Sequence, residues 1–222
     1  MQLRPVLLMD FDGVIMDSAD AIIDNFRMLG AQHGVHSVTD RPSLAALLKT
    51  NFYESCDRLG IDRVALNALF EAMKVRIFSG EVSATPFPWT HAMLHNLSQR
   101  FRICIVSSNE QAVINHYLNT FSLSTFIEQS VTGDDFEKKT EAIAHILKKE
   151  KQAPSHTYFI GDTSADVIEG KSAGVITIAV TWGYHSREEL LPLHPHYIVN
   201  ALTELERVLG NGLQHASTLE MI

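Results

Sequence analysis

Val6-Leu7-Leu8-Met9-Asp10-Phe11-Asp12-Gly13-Val14 is the stretch that decides how this chain is read. Its first four residues are a short apolar run of the kind that forms a buried strand. Two carboxylates follow, two residues apart, and then a glycine turn. A carboxylate is costly to desolvate unless it is paired or bound to a metal. Two of them at the end of a core strand therefore call for a cation or a chemical task. In an open parallel sheet the carboxyl ends of the strands are also where ligands bind.

Working outward, apolar runs recur at Ile103–Val106, Phe126–Val131, Thr157–Ile160, Val175–Val180 and Tyr197–Val199. Helical patterns lie among them at Trp89–Gln99, Glu110–Asn119, Thr140–Lys151, Ser164–Ala173 and Ala201–Leu209. This alternation predicts an α/β fold, Rossmann-like and doubly wound on a mostly parallel sheet. Asn109 is the expected N-cap of one helix and Gly174 the C-cap of another.

The interval from Met16 to Pro86 breaks the alternation and contains no strand pattern. Ile22, Phe26 and Leu29, then Val64, Leu66, Leu69, Phe70 and Met73, recur at helical spacing. Ser18 or Asp17 is the expected cap of its first helix. Gly34, Asp40-Arg41-Pro42 and Gly60-Ile61-Asp62 punctuate the rest. The expected organisation is a core of residues 1–15 and 87–222 with a small helical cap, 16–86, inserted after the first strand. Such an insert would sit above the carboxylate pair as a lid.

Composition bounds the partners. The 222 residues are 45% hydrophobic, and mean hydropathy is close to zero, so a substantial core can be buried. The net charge of −8 argues against nucleic acid or an anionic membrane surface. A small phosphate remains compatible, because local cations can dominate a site. Cys56 and Cys104 lack a CxxC spacing and read as reduced thiols in or near the core. With no signal peptide and no membrane-length apolar segment, a cytoplasmic monomer or homodimer is expected. His91 with His95, and His194 with His196, lack a third ligand at a metal-binding spacing.

Three further segments would converge on Asp10 in a parallel sheet. Val106-Ser107-Ser108-Asn109 ends one strand before a helix, where hydroxyls and free N–H groups suit phosphate oxygens. Lys138-Lys139-Thr140 opens another helix. Tyr158 through Asp166 is again a buried strand ending in glycine and carboxylate, Gly161-Asp162, with Asp166 four residues on.

The four segments, in this order, resemble the motifs of the haloacid dehalogenase superfamily of phosphohydrolases, and the likeness spans the whole chain. It implies that Asp10 is the nucleophile, forming an aspartyl-phosphate, and that Asp12 is the general acid and base. Ser107 and Ser108 would bind phosphate. Lys139 is the better match to the family's lysine, with Lys138 as the alternative. Asp10, Asp162 and the backbone carbonyl of Asp12 would hold Mg2+, supported by Asp166 and Gly13. Physical chemistry agrees: Mg2+ and a lysine offset the repulsion between a carboxylate and a phosphate dianion, and covalent capture splits one displacement into two easier ones.

Asp12 points to a phosphatase or phosphosugar mutase rather than a dehalogenase. Val180-Thr181-Trp182-Gly183-Tyr184, followed by SREEL, resembles the phosphoglycolate phosphatase branch. The expected activity is Mg2+-dependent hydrolysis of a small phosphorylated metabolite, phosphoglycolate-like or a sugar phosphate. The alternatives are a mutase of the beta-phosphoglucomutase type and a non-catalytic binding protein. The cap lacks the glycines common in relatives; Lys49, Asn51 and Tyr53 are its candidate substrate contacts, and Asp17 falls at the hinge.

Overall fold

The computed structural model describes residues 4–219. Its strands are β1 (Val6–Met9), β2 (Met16–Asp17), β3 (Thr85–Pro86), β4 (Arg102–Val106), β5 (Ile127–Val131), β6 (Tyr158–Gly161), β7 (Ile176–Val180) and β8 (Tyr197–Val199). Its helices are α1 (Ala19–Leu29), α2 (Arg41–Leu47), α3 (Phe52–Arg58), α4 (Arg63–Phe78), α5 (Thr90–Ser98), α6 (Gln111–Thr120), α7 (Lys139–Glu150), α8 (Ser164–Ser172), α9 (Arg187–Leu190) and α10 (Leu202–Leu219). Six strands form one sheet in the order β5-β4-β1-β6-β7-β8, and every pairing in it is parallel. The chain is thus a Rossmann-like α/β fold.

β1 lies between β4 and β6, which explains its unbroken apolar run: neither face meets water. Leu7 and Met9 pack with Met93 and Leu94 of α5, Ile114 of α6 and Leu205 of α10. Val6 and Leu8 point the other way, onto Ala142, Ile143 and Ile146 of α7. Alternation therefore sends the side chain at position 10 toward α7.

Between β1 and β4, helices α1 to α4 bury Ile23, Phe26, Leu44, Leu47, Leu66 and Leu69 in a core of their own. The punctuation there has local causes. Asp40 caps α2 by accepting from the Ser43 amide at 2.9 Å, with Ser43 bonding back. Asn51 caps α3 and Asp62 caps α4.

The expected strand-free interval needs correction. Met16–Asp17 pairs antiparallel with Thr85–Pro86 where the chain leaves and rejoins the sheet. A ladder of two residues is too short to leave an alternating pattern. Two expected caps also differ. Ser18 stands at the N-cap of α1 without a side-chain cap bond. Glu110, not Asn109, is the N-cap of α6. Gly174 does follow the end of α8 in a left-handed conformation.

Candidate active site

Register sets the site. Met9 pairs with Ile105 on one side and Ile160 on the other. Asp10, Ser107 and Asp162 therefore leave the sheet within one residue of the same level, at its carboxyl edge. α7 begins beside them with Lys139.

The Lys139 ammonium is buried and donates to Asp10 Oδ2 and to Asp166 Oδ1, both at 2.6 Å. Burial alone would lower its pKa; Asp10 and Asp166 outweigh that and keep it charged. Lys138 lies outside, exposed and paired with Glu54 at 2.8 Å. Asp10 Oδ1 accepts from the Phe11 amide at 2.7 Å. Asp166 is saturated: Oδ2 accepts from the Thr163 hydroxyl at 2.6 Å and from the Thr163 amide at 3.0 Å.

Asp162 is different. Its Oδ2 accepts from the Tyr184 amide at 2.7 Å, but its Oδ1 is buried with no hydrogen-bond partner. The backbone presses on this carboxylate: a Cβ at Gly13 or at Gly183 would stand 2.1 Å from Asp162 Oδ2, so neither position has room for a side chain. One oxygen each of Asp10, Asp162 and Asp166 lie within 4.8 Å of one another. This is the one group of metal-ligating side chains among the described residues. An unpartnered buried oxygen among hard carboxylate donors fits a metal ion. The Asp12 side chain stands apart from this group.

Asp12 is half-buried, and its Oδ2 accepts from Asn109 Nδ2 at 2.9 Å. Burial raises its pKa, against the opposing pull of Ser18, Asn109 and Lys139. Sequence reasoning assigned Asn109 to capping a helix, whereas its amide holds this carboxylate. Ser107 is buried, and its hydroxyl accepts from the Asn109 amide at 3.1 Å. Ser107, Ser108, Asp10, Asp12 and Lys139 share the lining of one cavity.

Burial raises Asp10 to about 7 despite Lys139, and burial also holds Asp162 well above the usual carboxylate range, with Asp166 and Asp10 adding repulsion. The effect on stability has a definite sign. A carboxyl with a raised folded-state pKa keeps a proton that the unfolded chain has already released. Stability of the metal-free chain is therefore expected to fall as pH rises from about 4 to about 7. Thermal unfolding in EDTA across that range checks this; a stability that climbs over the same interval would refute the assignment.

The three expected cap contacts are not brought to the cavity. Lys49 is exposed. Asn51 Nδ2 donates to the Glu137 carbonyl at 2.7 Å and to Glu169 Oε1 at 3.0 Å, tying α3 to the core. The Tyr53 ring lies under Arg63, 4.8 Å from its guanidinium carbon. Asn51 and Tyr53 are each taken by a structural contact that the residue type does not announce. Asp17 is exposed in β2. His91 and His95 pack edge-on against Phe126, and His196 Nδ1 accepts from the Thr177 amide.

Sequence reasoning missed Tyr184 and His185. The Tyr184 hydroxyl meets Ser18 Oγ at 2.6 Å. His185 is buried; its Nδ1 accepts from the Ser164 amide at 2.9 Å, so Nε2 carries the proton given to the Ala45 carbonyl at 2.8 Å. Both join α1 and α2 to the core. Tyr184 falls inside the quoted segment after β7, which was the available signal.

Comparison with known proteins agrees with this geometry. The family model described as haloacid dehalogenase-like hydrolase matches residues 7–180. The chain is similar to a phosphoglycolate phosphatase of Synechococcus elongatus, 23% identical over 201 residues, covering 90% of this chain and 94% of that one. It is similar to pyrophosphatase PpaX of Oceanobacillus iheyensis, 24% identical over 222 residues, covering 96% and 99%. A crystal structure titled as a predicted phosphatase from Clostridium acetobutylicum superposes with a TM-score of 0.79 at 23% identity, covering 95% and 100%.

Proposed function

This chain belongs to the haloacid dehalogenase-like hydrolase family, and on that footing we propose that it is a Mg2+-dependent phosphatase acting on a small phosphorylated metabolite. The observation that carries the reading is the buried set in which Lys139 bridges Asp10 and Asp166 beside the unpartnered Asp162 Oδ1. Names of relatives such as phosphoglycolate phosphatase and pyrophosphatase point the same way.

Asp10 attacks phosphorus, and the P–O bond to the leaving group breaks. Asp12, whose pKa burial raises, gives a proton to the leaving oxygen. Asp12, now a carboxylate, takes a proton from water as that water attacks the phosphorus of the aspartyl-phosphate. Phosphate leaves and Asp10 is restored. Ser107, Ser108 and Lys139 hold the phosphate oxygens, which gain charge as the reaction proceeds. Asp10, Asp162 and the Asp12 carbonyl would hold Mg2+, which would supply positive charge to offset repulsion between the two anions.

Residues 16–86 serve as the cap in this reading, with 1–15 and 87–222 as the catalytic core. Closure would exclude bulk water while Asp10 is unphosphorylated. A cytoplasmic setting belongs to the same reading and is supported by the two free, buried cysteines. Among the described residues no helix is long and apolar enough to cross a membrane.

Phosphate release from a panel of phosphate monoesters, with Mg2+ and with EDTA, tests the proposal. Release is expected in Mg2+ and should fall by about 100-fold or more in EDTA. Release indifferent to EDTA would overturn the metal assignment, and no release from any ester would overturn the activity.

A further inference from the structure

A cavity of about 180 Å³ runs from Asp10 and Asp12 into the helices α1 to α4. We propose that it selects phosphate monoesters whose leaving group is an apolar alkyl or aryl alcohol, and that it works against substrates carrying a second anion. This rests on the phosphatase reading above and names its substrate class.

The far wall carries the first part of the argument. Ile22, Phe26, Leu44, Phe52, Phe70 and Met73 line it, all from α1 to α4 or the residues capping them. With phosphate at Lys139 and Ser107, the leaving group is the part of the substrate that extends toward this wall. An alkyl chain there leaves water for apolar contacts, while a carboxylate or second phosphate would lose hydration and meet in return only neutral groups such as Asn25 and Thr50.

Charge carries the second part independently. Among the described residues lining the cavity, the acids are Asp10, Asp12, Glu110 and Glu169, against two lysines, Lys74 and Lys139. Lys139 is committed to Asp10 and Asp166. Lys74 is committed to Glu71 and Glu110, both at 2.6 Å, and the two pairings keep its charge compensated. A Mg2+ ion and the transferred phosphate would use up the remaining balance. No cation of the lining is left to meet a second negative group. Lys49, the lysine expected from the sequence as a cap contact, is exposed and outside the lining. The wall thus differs from what a glycolate carboxylate or a pyrophosphate would need, although relatives bear those names.

The test is a comparison of kcat/KM for n-hexyl phosphate, phenyl phosphate, 2-phosphoglycolate and pyrophosphate, with the full chain in Mg2+. Each methylene buried is worth about fourfold. With about three to four of its methylenes buried beyond the one that 2-phosphoglycolate shares, hexyl phosphate is expected to exceed 2-phosphoglycolate by roughly 100-fold. Ile22→Lys, which puts a cation on the half-buried part of the wall, should narrow that ratio by about tenfold or more. Phosphate release with 2-phosphoglycolate or pyrophosphate equal to or faster than hexyl phosphate would overturn the inference and leave the phosphatase reading standing. Release from none of the four together with no binding of hexyl phosphate by calorimetry would sink both, whereas binding of hexyl phosphate without release would sink the phosphatase reading while keeping the preference of the wall.

Discussion

Asp10→Asn is expected to reduce phosphate release by about 10^4-fold or more while the protein stays folded. The substitution changes one atom in a buried carboxylate. The amide oxygen can replace only one of the two acceptor bonds, to the Phe11 amide at 2.7 Å or to Lys139 at 2.6 Å, while Lys139 keeps Asp166 as its partner. An amide cannot attack phosphorus to make the acyl phosphate, so both halves of the reaction are lost. Its neutrality is tolerable here, because burial already favours the uncharged form and lifts Asp10 to about 7. The unfolding temperature in EDTA should therefore lie within a few degrees of the parent. Single-turnover phosphate release and thermal unfolding on the same preparation decide the matter. A folded variant that keeps more than about a hundredth of the parent rate would remove Asp10 from the role of nucleophile.

Lys139→Met is expected to damage both stability and turnover, for separable reasons. The ammonium lies 2.6 Å from Asp10 and from Asp166, and all three side chains are buried. Removing one partner of a buried ionic set costs about 3–5 kcal/mol, because the acids left behind must stay charged without a partner or take up protons. Turnover should fall by roughly 100-fold to 1000-fold through lost charge stabilisation at the phosphate. The double variant Lys139→Met with Asp166→Asn separates the two effects. It removes a carboxylate along with the lysine, so part of the stability should return while turnover stays low. Urea unfolding and kcat for both variants provide the comparison. Recovery of turnover together with stability would show that Lys139 only holds the fold together.

The legible parts of the chain are those whose signal is local. Strands buried on both faces appear as apolar runs, and all six strands of the main sheet start within one residue of the expected position. The carboxylates were conspicuous because charge at the end of such a run needs a reason. What stayed hidden depends on partners far away in sequence. Asn109 looks like any strand-to-helix cap until Asp12 stands beside it. Asn51, Tyr53 and Lys49 looked like cap contacts by type and place, yet Asn51 is occupied by Glu169 and Tyr53 by Arg63. His185 reaches both Ser164 and Ala45, and nothing adjacent to it in the chain suggests either bond. The two-residue pairing of β2 with β3 lies below the length at which alternation can be seen.

The place of β1 in the middle of the sheet has a consequence for synthesis. Val6 pairs with Arg102, and Leu7 with Tyr158. The strand that leads into Asp10 is made about 150 residues before its second neighbour. Until then four apolar residues have an unfilled edge, and pairing across so long a loop is slow. A chain released before Gly161 would carry that edge permanently and would be prone to aggregate. The residue proposed to perform the chemistry is thus translated well before it is positioned, so incomplete products are inactive as well as sticky.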